Sequence, residues 1–182
     1  MSAKNCDEQG RLRSVTVGFR VSLEEGELLA LTPADFDLEK GTLSITKSYQ
    51  RLKGRDVITD PKTPKSVRVV QMPSFLTDEI RDYLKSLYGV KPDDRIFDMS
   101  KSYLHHEMDR GAKAAGVKRI RIHDLRHSHI SLLIDMGFSA VAIAERVGHE
   151  SIDITYRYAH LFPTRQTDVV QQLELKRAEG GF

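Results

Sequence analysis

The spacing of apolar residues changes from alternating to helical at Pro73, and that change limits the fold more than any other feature. Between residues 42 and 72 the pattern alternates. Leu43 and Ile45 share one face, Val57-Ile58-Thr59 forms a second short β-prone run, and 67–72 (VRVVQM) a third. After Pro73 the apolar residues recur three and four apart, the repeat of a helix packed on one side. Leu76, Ile80, Tyr83, Leu84 and Leu87 mark one such helix, and 102–115 a second. The stretch 124–136 is a third, and 139–147 a fourth, started by Ser139 and stopped at Gly148. The stretches 152–161 and 164–175 complete the series. Upstream, 23–31 reads as a short helix closed by Thr32-Pro33, and 1–13 as a loose polar terminus. The expectation is a mainly helical α+β domain. Its three-stranded antiparallel sheet is built from 42–49, 57–59 and 67–72, with turns at Gly54 and 62–66.

A chain of 182 residues suits one domain with a single core. Its 40% apolar and 30% charged content reads as soluble and globular. No apolar run approaches the ~18 residues of a membrane span. Cys6 stands alone, which excludes an internal disulfide and fits a reducing compartment. The net charge of +2 does not announce a nucleic-acid binder, but its distribution is uneven. Lys47, Arg51, Lys53, Arg55, Lys62, Lys65 and Arg68 crowd one stretch. Arg110, Lys113, Lys118, Arg119, Arg121 and Arg126 crowd another. Glu24, Glu25, Glu27, Asp35, Asp37 and Glu39 collect elsewhere. A phosphate-facing side with an acidic back and an ordinary solvated surface both fit this pattern.

Two clusters could carry chemistry. In His123-Asp124-Leu125-Arg126-His127-Ser128-His129, His123 and Arg126 are three apart and share a helix face near its start. A guanidinium fork, an imidazole and free backbone N–H groups there could hold a phosphate. A plain helix cap with polar flanks is the alternative. Downstream, His149 and Tyr158 are nine apart, within reach only if a turn separates them. A tyrosine closing a core is the ordinary role of such a residue.

Together, HDLRHSH, VGHES and TYRYAHL resemble, in order and spacing, three sequence boxes of the tyrosine recombinase (phage integrase) family. The stretch 61–68 (PKTPKSVR) resembles its hairpin lysine segment, and 25–31 (EGELLAL) the helix after its first arginine. The resemblance covers roughly residues 20–175. It implies a catalytic domain over 20–178, a non-family segment over 1–19, and no N-terminal DNA-clamping domain within the chain. Tyr158 would attack the scissile phosphate to give a 3′-phosphotyrosine. Arg126 would clamp its oxygens. His123 and His149 would donate hydrogen bonds or assist proton transfer. Lys62 would protonate the departing 5′ oxygen. The family's first arginine sits about three residues before the helix glutamate. Here the candidate is Arg20, seven before Glu27, as though four residues had been inserted. Four residues make about one helical turn, a shift of ~6 Å along the axis.

The resemblance also implies double-stranded DNA as partner, with Lys47, Arg51, Lys53, Lys65, Arg68, Arg119 and Arg121 as contacts. It implies no metal or other cofactor, and a setting in the bacterial cytoplasm at the nucleoid. Self-association would give a tetramer on paired sites, with a C-terminal helix over 164–175, apolar at Val169, Val170 and Leu173, exchanged between copies. Other readings stay open. Residues 139–158 scan as a non-catalytic helix-turn-helix. A type IB topoisomerase shares the chemistry. Tyr156 competes with Tyr158, and Lys65 with Lys62. His123 and His127 have a zinc-compatible spacing without an evident third ligand. His105 and His106 read as surface residues, His127 and His129 as structural, and His160 as either an assistant to Tyr158 or a helix cap.

Overall fold

The computed structural model describes residues 16–18, 20–61, 63–161 and 166–179; the expected loose terminus lies outside the described residues. After Arg20 the chain turns sharply through Ser22, a non-glycine residue at φ 56°. Helix α1 (Glu25–Ala30) follows, and a 3-10 turn (Pro33–Asp35) leads into strand β1 (Phe36–Asp37). Strands β2 (Thr42–Ile45), β3 (Ser48–Leu52) and β4 (Arg55–Thr59) come next. A second 3-10 turn (Pro64–Ser66) precedes β5 (Arg68–Gln71). The rest is helical: α2 (Ser74–Ser86), α3 (Lys101–Ala115), α4 (Ile122–Asp135), α5 (Ala140–Val147), α6 (Ile152–Tyr156), a 3-10 turn (Ala159–Leu161) and α7 (Gln166–Ala178).

The expected three-stranded antiparallel sheet is present, but its membership differs. It runs β1-β2-β5, with Leu43 opposite both Phe36 and Val70. Strands β3 and β4 form a separate hairpin, Tyr49 opposite Ile58. The 42–49 run breaks because Lys47 turns inward. Its ammonium bonds Thr32 Oγ1 at 2.9 Å and both oxygens of buried Asp35 at 2.9–3.0 Å. The backbone cannot stay in the β2 ladder while this side chain reaches back past it. At the hairpin tip Lys53 (φ 48°) and Gly54 (φ 79°) both take positive φ, the turn whose twist matches the flanking strands.

Packing follows the two periods. Leu43, Ile45 and Val70 point into the core, while Val69 on the opposite pleat is 67% exposed. Helix α1 buries Gly26 through Ala30. It lies so close to β3 that a Cβ at Gly26 would collide with Ser48 Oγ and sit 3.1 Å from the Tyr49 carbonyl. Leu76, Ile80 and Tyr83 of α2 close the same core, with Tyr83 stacked on Phe97. A second, smaller cluster joins Ile130 and Ile134 of α4 to Ile143 and Val147 of α5, with Leu133 and Tyr158 packed against it. Four buried aliphatics, at roughly 1.5–3 kcal/mol each, make a modest core. Polar ties across the seam between the clusters therefore weigh heavily, and the chemistry-bearing residues gather at that seam.

Candidate active site

Ser22, Arg68 and Arg126 build the seam. Arg126 projects from the first turn of α4, is 6% exposed, and donates to the Ser22 carbonyl at 2.8 Å and to the Val147 carbonyl. A guanidinium has five N–H donors, so these two bonds leave donors for another acceptor. Arg68 is used differently. Nε donates to the Arg146 carbonyl (3.2 Å), Nη1 to Ser66 O and Glu27 Oε1, and Nη2 to Ser22 O and Glu27 Oε2. That saturates all five donors, and the Arg68 and Glu27 side chains are both buried. Arg68 therefore supports the site from beneath and is not placed to contact DNA, contrary to the expectation for it.

Gly148 lets the 3-10 turn at Pro64–Ser66 approach α5. It ends that helix in the left-handed region (φ 71°), and an added Cβ would lie 3.0 Å from Arg68 Cδ and from the Lys65 carbonyl. Lys65 completes the join by donating Nζ to the Glu150 carbonyl at 2.9 Å. His149 is thereby fixed beside Arg126. Its Nδ1 meets Thr155 Oγ1 of α6 at 2.8 Å, and Thr155 is fully buried. In the tautomer whose Nδ1 accepts from the Thr155 hydroxyl, Nε2–H is the ring donor left for a ligand. Burial, and then Arg126, push His149 down to about 4, so the ring is neutral near pH 7.

Tyr158 follows α6 and is half-buried. Its phenol contacts His127 Nδ1, and the two rings are tilted with centroids 5.7 Å apart. His127 in turn meets His123 edge to face at 4.6 Å. Burial raises the phenol above its ordinary value of 10, while Arg126 and Arg157 pull the other way. Burial, then His123, lowers His127, which favours a neutral ring able to accept the phenolic proton.

These groups line one cavity of about 610 Å³. Arg126, His123, His127, His149, Arg157, Tyr158 and His160 are on its walls, with Pro61, Thr63 and Ser66 from the turn before β5, and Glu24 and Glu27 from the start of α1. A planar cation with donors to offer, imidazoles and a phenol facing one space can grip an oxyanion and present a nucleophile to it.

A sequence profile of the phage integrase family matches residues 14–165. The chain belongs to the phage integrase (tyrosine recombinase) family. It is 33% identical over 173 residues to the ICEBs1 integrase of Bacillus subtilis (strain 168), covering 87% of this chain and 47% of that protein. It is 30% identical over 179 residues to the integrase of Staphylococcus phage L54a, covering 88% and 51%. The chain thus spans about half the length of these curated relatives. Its fold matches the Tn1549 transposon integrase in complex with transposon right end DNA (TM-score 0.72, 18% identity, 93% of this chain and 59% of that one). It also matches the XerH site-specific recombinase bound to palindromic difH substrate (TM-score 0.65, 25% identity, 96% and 48%). The fold is that of a tyrosine recombinase catalytic domain.

Within this integrase-family chain the structure brings Tyr158, Arg126, His123 and His149 to one cavity. Tyr156 does not line it and is 53% exposed, so the two tyrosines are separated. Lys62 lies outside the described residues, but its neighbours Pro61 and Thr63 line the cavity. Arg20 is not brought there. Its guanidinium stacks on Phe75 at 4.3 Å, reaches Glu79 at 3.5 Å and lines a different cavity. The turn at Ser22 reverses the chain, so a shift of one helical turn does not describe the offset. The position three residues before Glu27 is occupied by Glu24, a carboxylate. Lys47 is held by Asp35, which removes it from the DNA contacts. Arg51 pairs with Asp56, Arg119 with Asp109 and Arg121 with Asp124, all with solvent-exposed guanidinium groups. Lys53 is exposed at the hairpin tip.

Sequence reasoning passed over His127, Glu24 and Arg157 as site residues. His127 sits one turn beyond His123 on the same helix face, and that spacing was the available signal. Helix α6, read as the second half of a helix-turn-helix, is only five residues long and is fixed through Thr155 to His149. That is short for a helix laid in a major groove.

Two imidazoles give the fold a pH dependence. His129 is buried and accepts from Arg146 Nε, and its burial and that arginine put it, like His149, at about 4, against 6.5 unfolded. The unfolded chain then binds more protons between pH 6.5 and 4, so stability rises with pH across that window. Urea midpoints should fall as pH is lowered from 6.5 to 4, and His129→Gln should flatten the profile. Its contribution is on the order of 2–3 kcal/mol.

Proposed function

We propose that residues 20–178 form the catalytic domain of a site-specific DNA recombinase, which cuts and rejoins double-stranded DNA through a 3′-phosphotyrosine. The observation that carries this is the shared cavity of Arg126, His123, His149 and Tyr158. A scissile phosphate there would meet the unused donors of Arg126 and Nε2–H of His149. Tyr158 Oη would attack phosphorus as its proton passes to His127, and the P–O5′ bond would break. Lys62, which follows Pro61 and precedes Thr63 in the sequence, would give the 5′ oxygen its proton. The covalent link keeps the phosphodiester energy for rejoining, and the reverse steps reseal the strand. The exposed hairpin cations Arg51, Lys53 and Arg55 would meet the flanking phosphates. Arg119 and Arg121 would do so from the α4 side.

A duplex nicked just past the cleavage point releases its short 5′ fragment and traps the adduct. We expect a covalent protein–DNA band with this chain and none with Tyr158→Phe. No band with either protein, or equal bands with both, would sink the reading.

We also read the protein as tetrameric on paired sites, exchanging α7 between copies, and working at the nucleoid in the bacterial cytoplasm. Among the described residues no helix is long and apolar enough to cross a membrane. Val170, Leu173 and Leu175 of α7 are more than half exposed, and so is Met136 beside a separate apolar cavity of about 700 Å³ lined also by Phe75, Leu132 and Phe138. One copy's helix has the right chemistry for the next copy's cavity. Val169 would belong to the same face; its side chain lies outside the described residues. Removing residues 166–182 should leave thermal stability nearly unchanged while abolishing the tetramer on paired sites in sedimentation. A truncated chain that still forms the tetramer would exclude exchange.

A further inference from the structure

We propose that Glu24 is an electrostatic brake on the phosphate site: a carboxylate at the cavity wall, without an ion-pair partner among the described residues, which weakens capture of the scissile phosphate. This rests on the reading of the cavity as a phosphate site.

Two carboxylates line that cavity, and they are not equivalent. Glu27 is neutralised by the bidentate bond from Arg68. Glu24 is exposed and, among the described residues, makes no ion pair within 4 Å. It is also held in place. Its backbone N–H donates to Glu27 Oε2 at 2.9 Å, and the Ser22 carbonyl, two residues earlier, accepts from both Arg126 and Arg68. The backbone is thus pinned at both points, and the Glu24 side chain lines the same cavity as Arg126. The Glu24 charge is also felt, as a smaller effect than burial, at both Arg126 and His149. Those are the two groups expected to hold the phosphate.

The consequence follows from sign. A phosphodiester entering this cavity meets the attraction of Arg126 and the repulsion of Glu24 within one space. There a unit charge several ångströms away changes an anion's affinity on the order of tenfold. The same negative charge opposes the extra charge that builds on the phosphorane, so it slows the step as well as the binding.

The test uses the full 182-residue chain, with inorganic phosphate as probe and the His149 ring resonances as reporter. E24Q removes the charge at nearly constant size, and E24R reverses it. E39Q makes the same charge change at an exposed residue outside the cavity lining. We expect E24Q to tighten phosphate binding about tenfold, E24R to tighten it further, and E39Q to leave it unchanged. The rate of adduct formation on the nicked duplex should rise in the same order. Equal phosphate affinity in E24Q and the unsubstituted chain would overturn the brake. So would phosphate binding that needs magnesium and loses that need in E24Q, because Glu24 would then hold a bridging cation. The recombinase reading fails separately. Tighter phosphate binding by E24Q with no adduct in any variant would leave the brake standing and remove the nuclease step. Adduct formation by the unsubstituted chain with no change in E24Q would do the reverse.

Discussion

Replacing Arg126 with alanine will stop covalent capture of DNA, with a loss of at least 10²–10³-fold, roughly the cost of one transition-state donor in an excluded site. The guanidinium is the cation in the cavity whose position is fixed by two carbonyls, Ser22 and Val147, while donors remain for a ligand. Desolvation, and then Arg68, pull its pKa below the usual arginine value, but a guanidinium stays charged near neutral pH. In the proposed reaction it would present a preorganised positive charge where negative charge would develop. The substitution also removes two buried hydrogen bonds that join the residues around Ser22 to α4 and α5. A stability loss of about 2–4 kcal/mol will accompany the catalytic one. Arg126→Lys separates the two effects. It keeps the charge and much of the stability but cannot serve both carbonyls and a phosphate, so its adduct rate should stay near the alanine level. An Arg126→Ala protein that remains folded and traps DNA at the original rate would refute the clamp.

Glu27→Ala will destabilise the fold by about 3–5 kcal/mol. Arg68 would be left buried beneath the site with two of its five donors unanswered and no counter-charge. Native stability is on the order of 5–15 kcal/mol, so this loss consumes a large share of it. Because the same guanidinium ties Ser66, Ser22 and Arg146 together, the damage should reach the cavity, and phosphate binding should weaken along with the denaturation midpoint. Glu27→Ala combined with Arg68→Met removes both charges and should recover part of the stability, though not the geometry of the turn before β5. A midpoint for Glu27→Ala equal to that of the parent chain would mean that Arg68 finds other compensation.

Local spacing made the helical half of the domain readable and put His123 and Arg126 on one face, while Tyr158 and His149 entered as site candidates through the family resemblance. His123 and Arg126 share a face because three residues span most of a turn of α4, and Ser139 and Gly148 bracket α5 as cap and stop. Long-range pairing was not readable in this way. Nothing near Arg68 indicates that its partner lies 41 residues earlier at Glu27, so a basic run looked like a DNA face when part of it is internal structure. Lys47 was misread for the same reason, since Asp35 and Thr32 claim its ammonium and end β2. Residues 21–24 read as a four-residue insertion, about one helical turn, that would keep the facing of Arg20. The turn at Ser22 and the stacking of Arg20 on Phe75 depend on contacts that no periodicity encodes. His127 was passed over because a histidine on a half-buried face is ordinarily structural, and only the placement of Tyr158 beside it gives it a chemical role.

The most direct measurement is a crystal structure of this chain on a nicked duplex with vanadate at the cleavage point, which mimics the five-coordinate phosphorus. The account predicts vanadium bonded to Tyr158 Oη, with its equatorial oxygens about 3 Å from Arg126 and from His149 Nε2. Vanadate bound to Tyr156, or a duplex lying across another face with the Arg126 cavity holding only water, would contradict it.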